Sequence, residues 1–183
     1  KWMVEQICQD YASAYDFNYI ALRYFNASGA HPSGHLAEHH QPETHVIPLL
    51  LEVASGQRDI FYQFGDDYGT KDGSCVRDFI HVMDLCQAHA LALSHLMCGG
   101  ESQAFNVGSA QGNSVRQVIE VARKVTGHPI PVKIQPRRAG DPSCLIANSQ
   151  VLAQLCGWQP VYENIEIIIE HAWYAYRQRF IGV

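Results

Sequence analysis

The feature that most constrains this sequence is an alternation repeated along nearly its whole length. Short apolar runs rich in β-branched and aromatic residues are separated by longer segments whose apolar residues recur every three or four positions. Strands separated by amphipathic helices imply an α/β chain in which helices cover a sheet. Tyr19 to Tyr24 reads as a strand, followed by a long loop from Phe25 to Thr44. A helix from about His45 to Ala54 ends at Gly56, and Ile60 to Phe64 reads as a short strand. Strand Asp78 to Val82 leads into a helix from Asp84 to about Met97, stopped by Gly99 and Gly100. Ala104 to Val107 and Val132 to Gln135 are further strands. Ser114-Val115-Arg116-Gln117 is a capping-box signature opening a helix that runs to Thr126, and Ser149 to Cys156 is a short helix closed by Gly157. The last helix places Ile165, Ile168, Ile169, Ala172, Trp173 and Tyr176 on one stripe and keeps Glu163, Glu166, Glu170 and Arg177 off it.

A chain of 183 residues with 47% apolar content can bury a substantial core without disulfides or metals. A net charge of -5 and a pI near 6.0 argue against nucleic acid or an anionic membrane as partner, although a few arginines can still converge on one anionic ligand. The six cysteines form no C-x-x-C pair, which predicts reduced thiols and a cytoplasmic location. No apolar run is long enough to cross a bilayer as a helix. Val4, Ile7, Cys8, Tyr11, Ala12 and Tyr15 recur at helix spacing from almost the first residue, with no capping residue ahead of Lys1. A helix without a start signal is expected to be a cut one.

The polar residues left in loops form four clusters: RYFNASGAHPSG (23–34), FGDDYGTKDGSCVRDFIHVMDL (64–85), FNVGSAQGNS (105–114) and PRRAGDP (136–142). Arg77 follows a glycine-containing loop, and Arg137 and Arg138 precede Gly140 and Asp141. Guanidinium forks bind phosphate oxygens bidentately, so a diphosphate suits such a set, and Asp141 can accept bonds from sugar hydroxyls. The competing reading pairs Arg77 with Asp78 or Asp84 and leaves the arginine pair as a solvated turn.

These clusters, in this order and at this spacing, resemble the UDP-glucose 4-epimerases of the extended short-chain dehydrogenase/reductase family. RYFNASGAHPSG is similar to the segment these enzymes place beneath the nicotinamide, DGSCVRDFIHVMDL to their second substrate motif and PRRAGDP to their third. RDFIHVMDL alone also fits other nucleotide-sugar enzymes. The resemblance implies a remnant of the Rossmann sheet, with residues 1–30 ending the NAD-binding domain. Residues 31–183 would then be mainly the smaller α/β substrate-binding domain, with returns to the first sheet. It implies that Asn26 contacts the phosphate or sugar, His45 and Val46 line the uridine diphosphate site, and Phe64 and Gly65 lie against the uracil. Arg77 and Arg138 would hold the diphosphate, Asp141 the ribose hydroxyls, and Leu145 would stand beside the sugar. Tyr24 and Phe25 would approach the nicotinamide. Lys1 would be the lysine of the catalytic Tyr-x-x-x-Lys pair, its tyrosine lying four residues earlier, outside the chain.

The implied activity is NAD-dependent interconversion of UDP-glucose and UDP-galactose, with a homodimer as the working form. The chain alone is expected to grip a UDP-sugar without turning it over or retaining NAD. Another nucleotide-sugar-modifying enzyme of the same family, or a non-catalytic nucleotide-sugar-binding half-protein, is the alternative. Two residues depart from the family pattern: Gly69 stands where proline is usual and Phe79 where tyrosine is frequent. His35-Leu36-Ala37-Glu38-His39 formally fits the H-x-x-E-H metallopeptidase pattern. That chemistry needs a helix, which Gly34 and Pro42 disfavour, so no metal site is expected.

Overall fold

Elements form close to where the apolar runs place them. In the computed structural model, which describes residues 1–182, helix α1 spans Trp2–Ala14. Val183, the last residue of the expected substrate-binding segment, lies outside the described residues. There follow β1 (Ile20–Tyr24), β2 (Asn26–Ser28), α2 (Val46–Ala54), β3 (Phe61–Phe64), β4 (Val76–His81) and α3 (Val82–Met97). The second half holds β5 (Gln103–Val107), β6 (Gly112–Ser114), α4 (Val115–Thr126), β7 (Val132–Gln135), β8 (Cys144–Leu145), α5 (Gln150–Cys156) and α6 (Ile165–Phe180).

Parallel pairing joins β1 to β5 and β3 to β7. Between them β4 acts as a hub. Its carboxyl-terminal half pairs with β2 (Asn26↔Phe79), and its amino-terminal half pairs antiparallel with β6 (Arg77↔Asn113) and parallel with β8 (Arg77↔Leu145). Two apolar cores follow from this layout. One gathers Phe105, Val107, Leu152 and Trp158 among β1, β5, α3 and α5. The other packs Leu50, Val118, Ile168 and Ile169 among α2, α4 and α6. Each fully buried aliphatic side chain contributes roughly 1.5–3 kcal/mol, which is why the α6 stripe read from the sequence orients that helix.

Differences from expectation have local causes. The stretch expected to be loop from Phe25 contains β2, because the edge of β4 supplies partners to three residues of weak strand preference. β6 and β8 are equally short and are likewise strands by pairing. Helix α3 starts at Val82, two residues before the expected Asp84, because His81 caps it: Nδ1 of the imidazole accepts the Met83 amide at 3.0 Å. The capping box at Ser114 and Gln117 forms as expected. Helix α1 forms too, yet none of its residues is buried, and Val4, Ile7 and Tyr11 are 54–60% exposed. Glu5 ties it to the sheet through an ion pair with Arg23.

His81 is fully buried, and its proton is placed by its neighbours. A backbone amide can only donate, so Nδ1 is the acceptor and Nε2–H faces Nδ1 of His171 at 3.0 Å. Burial, then the nearby His171, lower its pKa to about 4, against an upward pull from Asp84 and with a small downward push from His31; the Tyr162 ring packs 4.4 Å from it. A depressed imidazole pKa means that the folded state excludes a proton which the unfolded chain takes up near 6.5. Stability from this group is therefore complete above about pH 7 and falls on acidification toward pH 4. Between pH 7.5 and pH 5 the expected loss is about 2 kcal/mol. It should be read as a falling urea midpoint, while the His81 ring resonances stay at their neutral positions by NMR.

Candidate functional site

A cavity of about 420 Å³ opens where β3, the start of β4, the amino terminus of α2 and the 136–141 turn meet. Each wall has a reason to be there. The β3–β7 pair delivers Phe64 on one side and Gln135, just ahead of the arginine turn, on the other. Parallel pairing of β2 with β4 sets Asn26 opposite Phe79, and both line the cavity. His45 is the residue before α2, so it and Val46 present the helix start to the same space.

Charge in the cavity is organised around Arg77. Its side chain is only 11% exposed; one nitrogen donates to the Val76 carbonyl at 2.7 Å and another pairs with Asp141. The partner is therefore Asp141, from the distant turn, and neither Asp78 nor Asp84 as the competing reading held. Asp141 also accepts from the Tyr68 hydroxyl at 3.4 Å. Burial, then the Asp141 carboxylate, push the Tyr68 phenol above its ordinary pKa. The adjacent arginines of the turn diverge. Arg137 bonds Asp67 and lies 4.3 Å from the Tyr68 ring centre, whereas Arg138 lies 3.9 Å over the Phe64 ring and lines the cavity. Guanidinium stacking of this kind is worth roughly 0.5–1 kcal/mol at an exposed site.

Of the residues singled out in the sequence, Asn26, His45, Val46, Phe64, Arg77, Arg138 and Asp141 share this cavity. A shallower recess beside it is lined by Tyr24, Phe25 and Leu145, and Asn26 and Arg77 belong to both. Gly65 lines neither: it is buried and turns the chain with φ +78°, where an added Cβ would meet Tyr68 at 2.5 Å. Lys1 sits exposed at the start of α1 and lines neither recess. The His35–His39 stretch is not helical, so the H-x-x-E-H spacing does not place both imidazoles on one face.

Arg58 and Glu43 also line the cavity and were not read from the sequence. Arg58 follows α2 and pairs with Glu52 at 3.0 Å. Only the route of the chain after Gly56 brings it round, and no local pattern marks that. The set of Arg58, Arg77 and Arg138 against Glu43 and Asp141 leaves the wall net cationic, suited to an anion with hydroxyl-bearing neighbours.

The profile of the NAD dependent epimerase/dehydratase family matches residues 1–108. The chain belongs to that family. The UDP-glucose 4-epimerase of Halalkalibacterium halodurans is 55% identical over 166 residues, which are 91% of this chain and 49% of that enzyme. A solved UDP-glucose 4-epimerase superposes with a TM-score of 0.94 at 48% identity, covering 97% of this chain and 54% of the other. The Bifidobacterium longum UDP-glucose 4-epimerase, solved with NAD+ and UDP, superposes with a TM-score of 0.92 at 34% identity over 100% of this chain and 55% of the other. The chain thus spans about half the length of the curated relatives it matches, and its α/β fold is that of their carboxy-terminal half.

Within this family member the cavity rests on a residue that sequence reasoning offered only as an ion-pair partner. Asp78 is fully buried, and its carboxylate accepts from Ser109 N at 2.9 Å, Ser109 Oγ at 2.7 Å, Ala110 N at 3.1 Å and Ala147 N at 3.0 Å. It thereby ties the loops after β5 and β8 to β4. Gly108 lies so close that an added Cβ would stand 2.5 Å from Asp78 Oδ2 and 2.5 Å from the Ala147 Cβ. Asp78→Asn keeps the shape but sets an N–H donor against backbone N–H donors. It is expected to destabilise the fold by about 2–4 kcal/mol in urea unfolding, whereas Ser109→Ala removes one hydroxyl bond for about 1 kcal/mol. Equal effects of the two substitutions would refute the hub role.

Proposed function

We propose that this chain is the UDP-gripping half of an NAD-dependent UDP-glucose 4-epimerase, interconverting UDP-glucose and UDP-galactose through a 4-keto sugar in galactose metabolism. The observation that carries this reading is the convergence of Arg77, Arg138 and Asp141 on one cavity with Asn26, His45, Val46 and Phe64. Arg77, already held by Asp141, needs little ordering to receive a diphosphate, and Arg138 can swing from Phe64 to the same group. That movement would free one face of Phe64 for the uracil. Asp141 keeps acceptor capacity for ribose hydroxyls, and Leu145 borders the neighbouring recess that would take the hexose. The named relatives, and the NAD+ and UDP held by the Bifidobacterium longum enzyme, support the assignment.

NAD itself would be shared with residues beyond this sequence. No G-x-G-x-x-G turn occurs in the 183 residues, so the pyrophosphate cradle of a dinucleotide site is not supplied here. Bound NAD would accept and return the hydride at carbon 4 of the hexose. Lys1, Tyr24 and Phe25 are the residues this chain would contribute near the nicotinamide, with the Lys1 ammonium favouring ionisation of a tyrosine one helical turn earlier. Residues 1–30 would accordingly close the dinucleotide-binding domain, and the rest would form mainly the sugar-nucleotide domain. The six unpaired thiols support a reducing, cytoplasmic setting.

Calorimetric titration with UDP tests the grip directly. The chain should bind saturably, and Arg138→Ala, at an exposed position, should weaken binding 10- to 100-fold with little change in unfolding midpoint. No binding at millimolar UDP, or unchanged affinity in the variant, would refute the assignment. The chain alone, supplied with NAD and UDP-galactose, should form no UDP-glucose in a coupled assay.

The bare apolar face of α1 further supports a homodimer. Light scattering should give twice the chain mass, and Ile7→Glu should shift it to that of a monomer.

A further inference from the structure

The segment that failed to form an H-x-x-E-H helix brings a different donor set together. Glu38 Oε1 lies 3.0 Å from His40 Nε2 and 3.0 Å from His45 Nδ1. The same His45 nitrogen is 2.9 Å from Glu43 Oε1. One ligand atom from each of Glu38, His40 and His45 lies within 4.8 Å of the others. We propose that Glu38, His40 and His45 form a binding site for a divalent transition-metal cation of the zinc type at the rim of the cavity.

Geometry, charge and donor type support it. Imidazole nitrogen and carboxylate oxygen bind zinc at about 2.0–2.2 Å, which sets neighbouring donors roughly 3–3.5 Å apart in a tetrahedral or octahedral shell. The Glu38 oxygen is already spaced in that way from both imidazoles. His45 Nδ1 carries at most one hydrogen yet faces two carboxylates, and a single cation satisfies both where one proton cannot.

Glu43 is spoken for by the amides of Thr44 and His45, each at 2.7 Å. Its carboxylate stands beside the ligand set, 2.9 Å from His45 Nδ1. Among the described residues no lysine or arginine pairs with Glu38 or Glu43.

Two imidazoles favour zinc, nickel or copper over magnesium or calcium. The remaining coordination positions face solvent, since His40 and His45 are about half exposed. The histidines of the sequence pattern stay out of the set: His39 packs against the Phe180 ring at 5.3 Å, and His35 is exposed. The site does not depend on the nucleotide assignment, because its ligand is the bare cation.

Titration of the EDTA-treated, dialysed full chain with zinc chloride tests it. One ion should bind per chain in the micromolar range. His40→Ala and Glu38→Gln should each weaken binding at least tenfold, while His35→Ala and His39→Ala should change it less than twofold. The six free thiols are the rival ligands, and cobalt separates them: a thiolate charge-transfer band on Co2+ binding would overturn the proposal. So would the absence of heat with zinc, or full affinity in His40→Ala.

Discussion

Everything that positions the cavity depends on a carboxylate with no access to water. Asp78 sits on β4, the strand to which β2, β6 and β8 all pair, and it accepts four hydrogen bonds from the loops that follow β5 and β8. A buried carboxylate is tolerable only when its lone pairs are met by fixed donors. Here the requirement works in reverse, because the backbone amides of 109, 110 and 147 have nowhere better to go, and loops of little intrinsic structure become rigid. Asp84 repeats the device one turn into α3, accepting the amides of Val161 and Tyr162 at 2.9 Å each. The two acids hold the first apolar core against the chain that leads into α6.

Rigidity behind β4 is what makes its next residue useful. Arg77 is adjacent to Asp78, so a fixed Asp78 means a fixed Arg77 backbone, and the pair with Asp141 then orients the guanidinium. Arg138 has the opposite character: exposed and stacked on the Phe64 ring. One preorganised and one exposed cation is an economical arrangement for a diphosphate. Under the proposed function the first would lower the ordering entropy of binding, and the second would be the one to adjust to the ligand. Gly65 contributes without touching the space, by turning the chain between Phe64 and the loop that carries Tyr68.

Much of this was legible beforehand, for reasons that can be named. The α6 stripe, the Ser114 capping box and the glycine stops are local codes, written in residues within one or two turns of each other. That Arg77, Arg138 and Asp141 would share a cleft was legible because guanidiniums and a carboxylate stood beside glycine turns in two loop clusters. What escaped notice has the opposite character. β2, β6 and β8 are two or three residues long and exist only because β4 offers partners. Arg58 reaches the cavity through the course of the chain after α2. The cluster of Glu38, His40 and His45 arises from a loop path that a helical template misreads.

The sequence by itself determined the α/β class, the order of the longer elements, the resemblance to an epimerase family and which loop residues were candidates for a site. The class and the longer elements depend on periodicity and local chemistry, and the resemblance on the motifs of the loop clusters. Only the tertiary structure decided that Arg77 pairs with Asp141 over either nearby acid, that Asp78 is a structural hub, and that α1 leaves its apolar face uncovered. Each of those is a matter of which groups meet across 31 or more residues, or fail to meet. Burial and pairing partners are properties of the assembled chain, where desolvation sets the energy, and no local pattern encodes them.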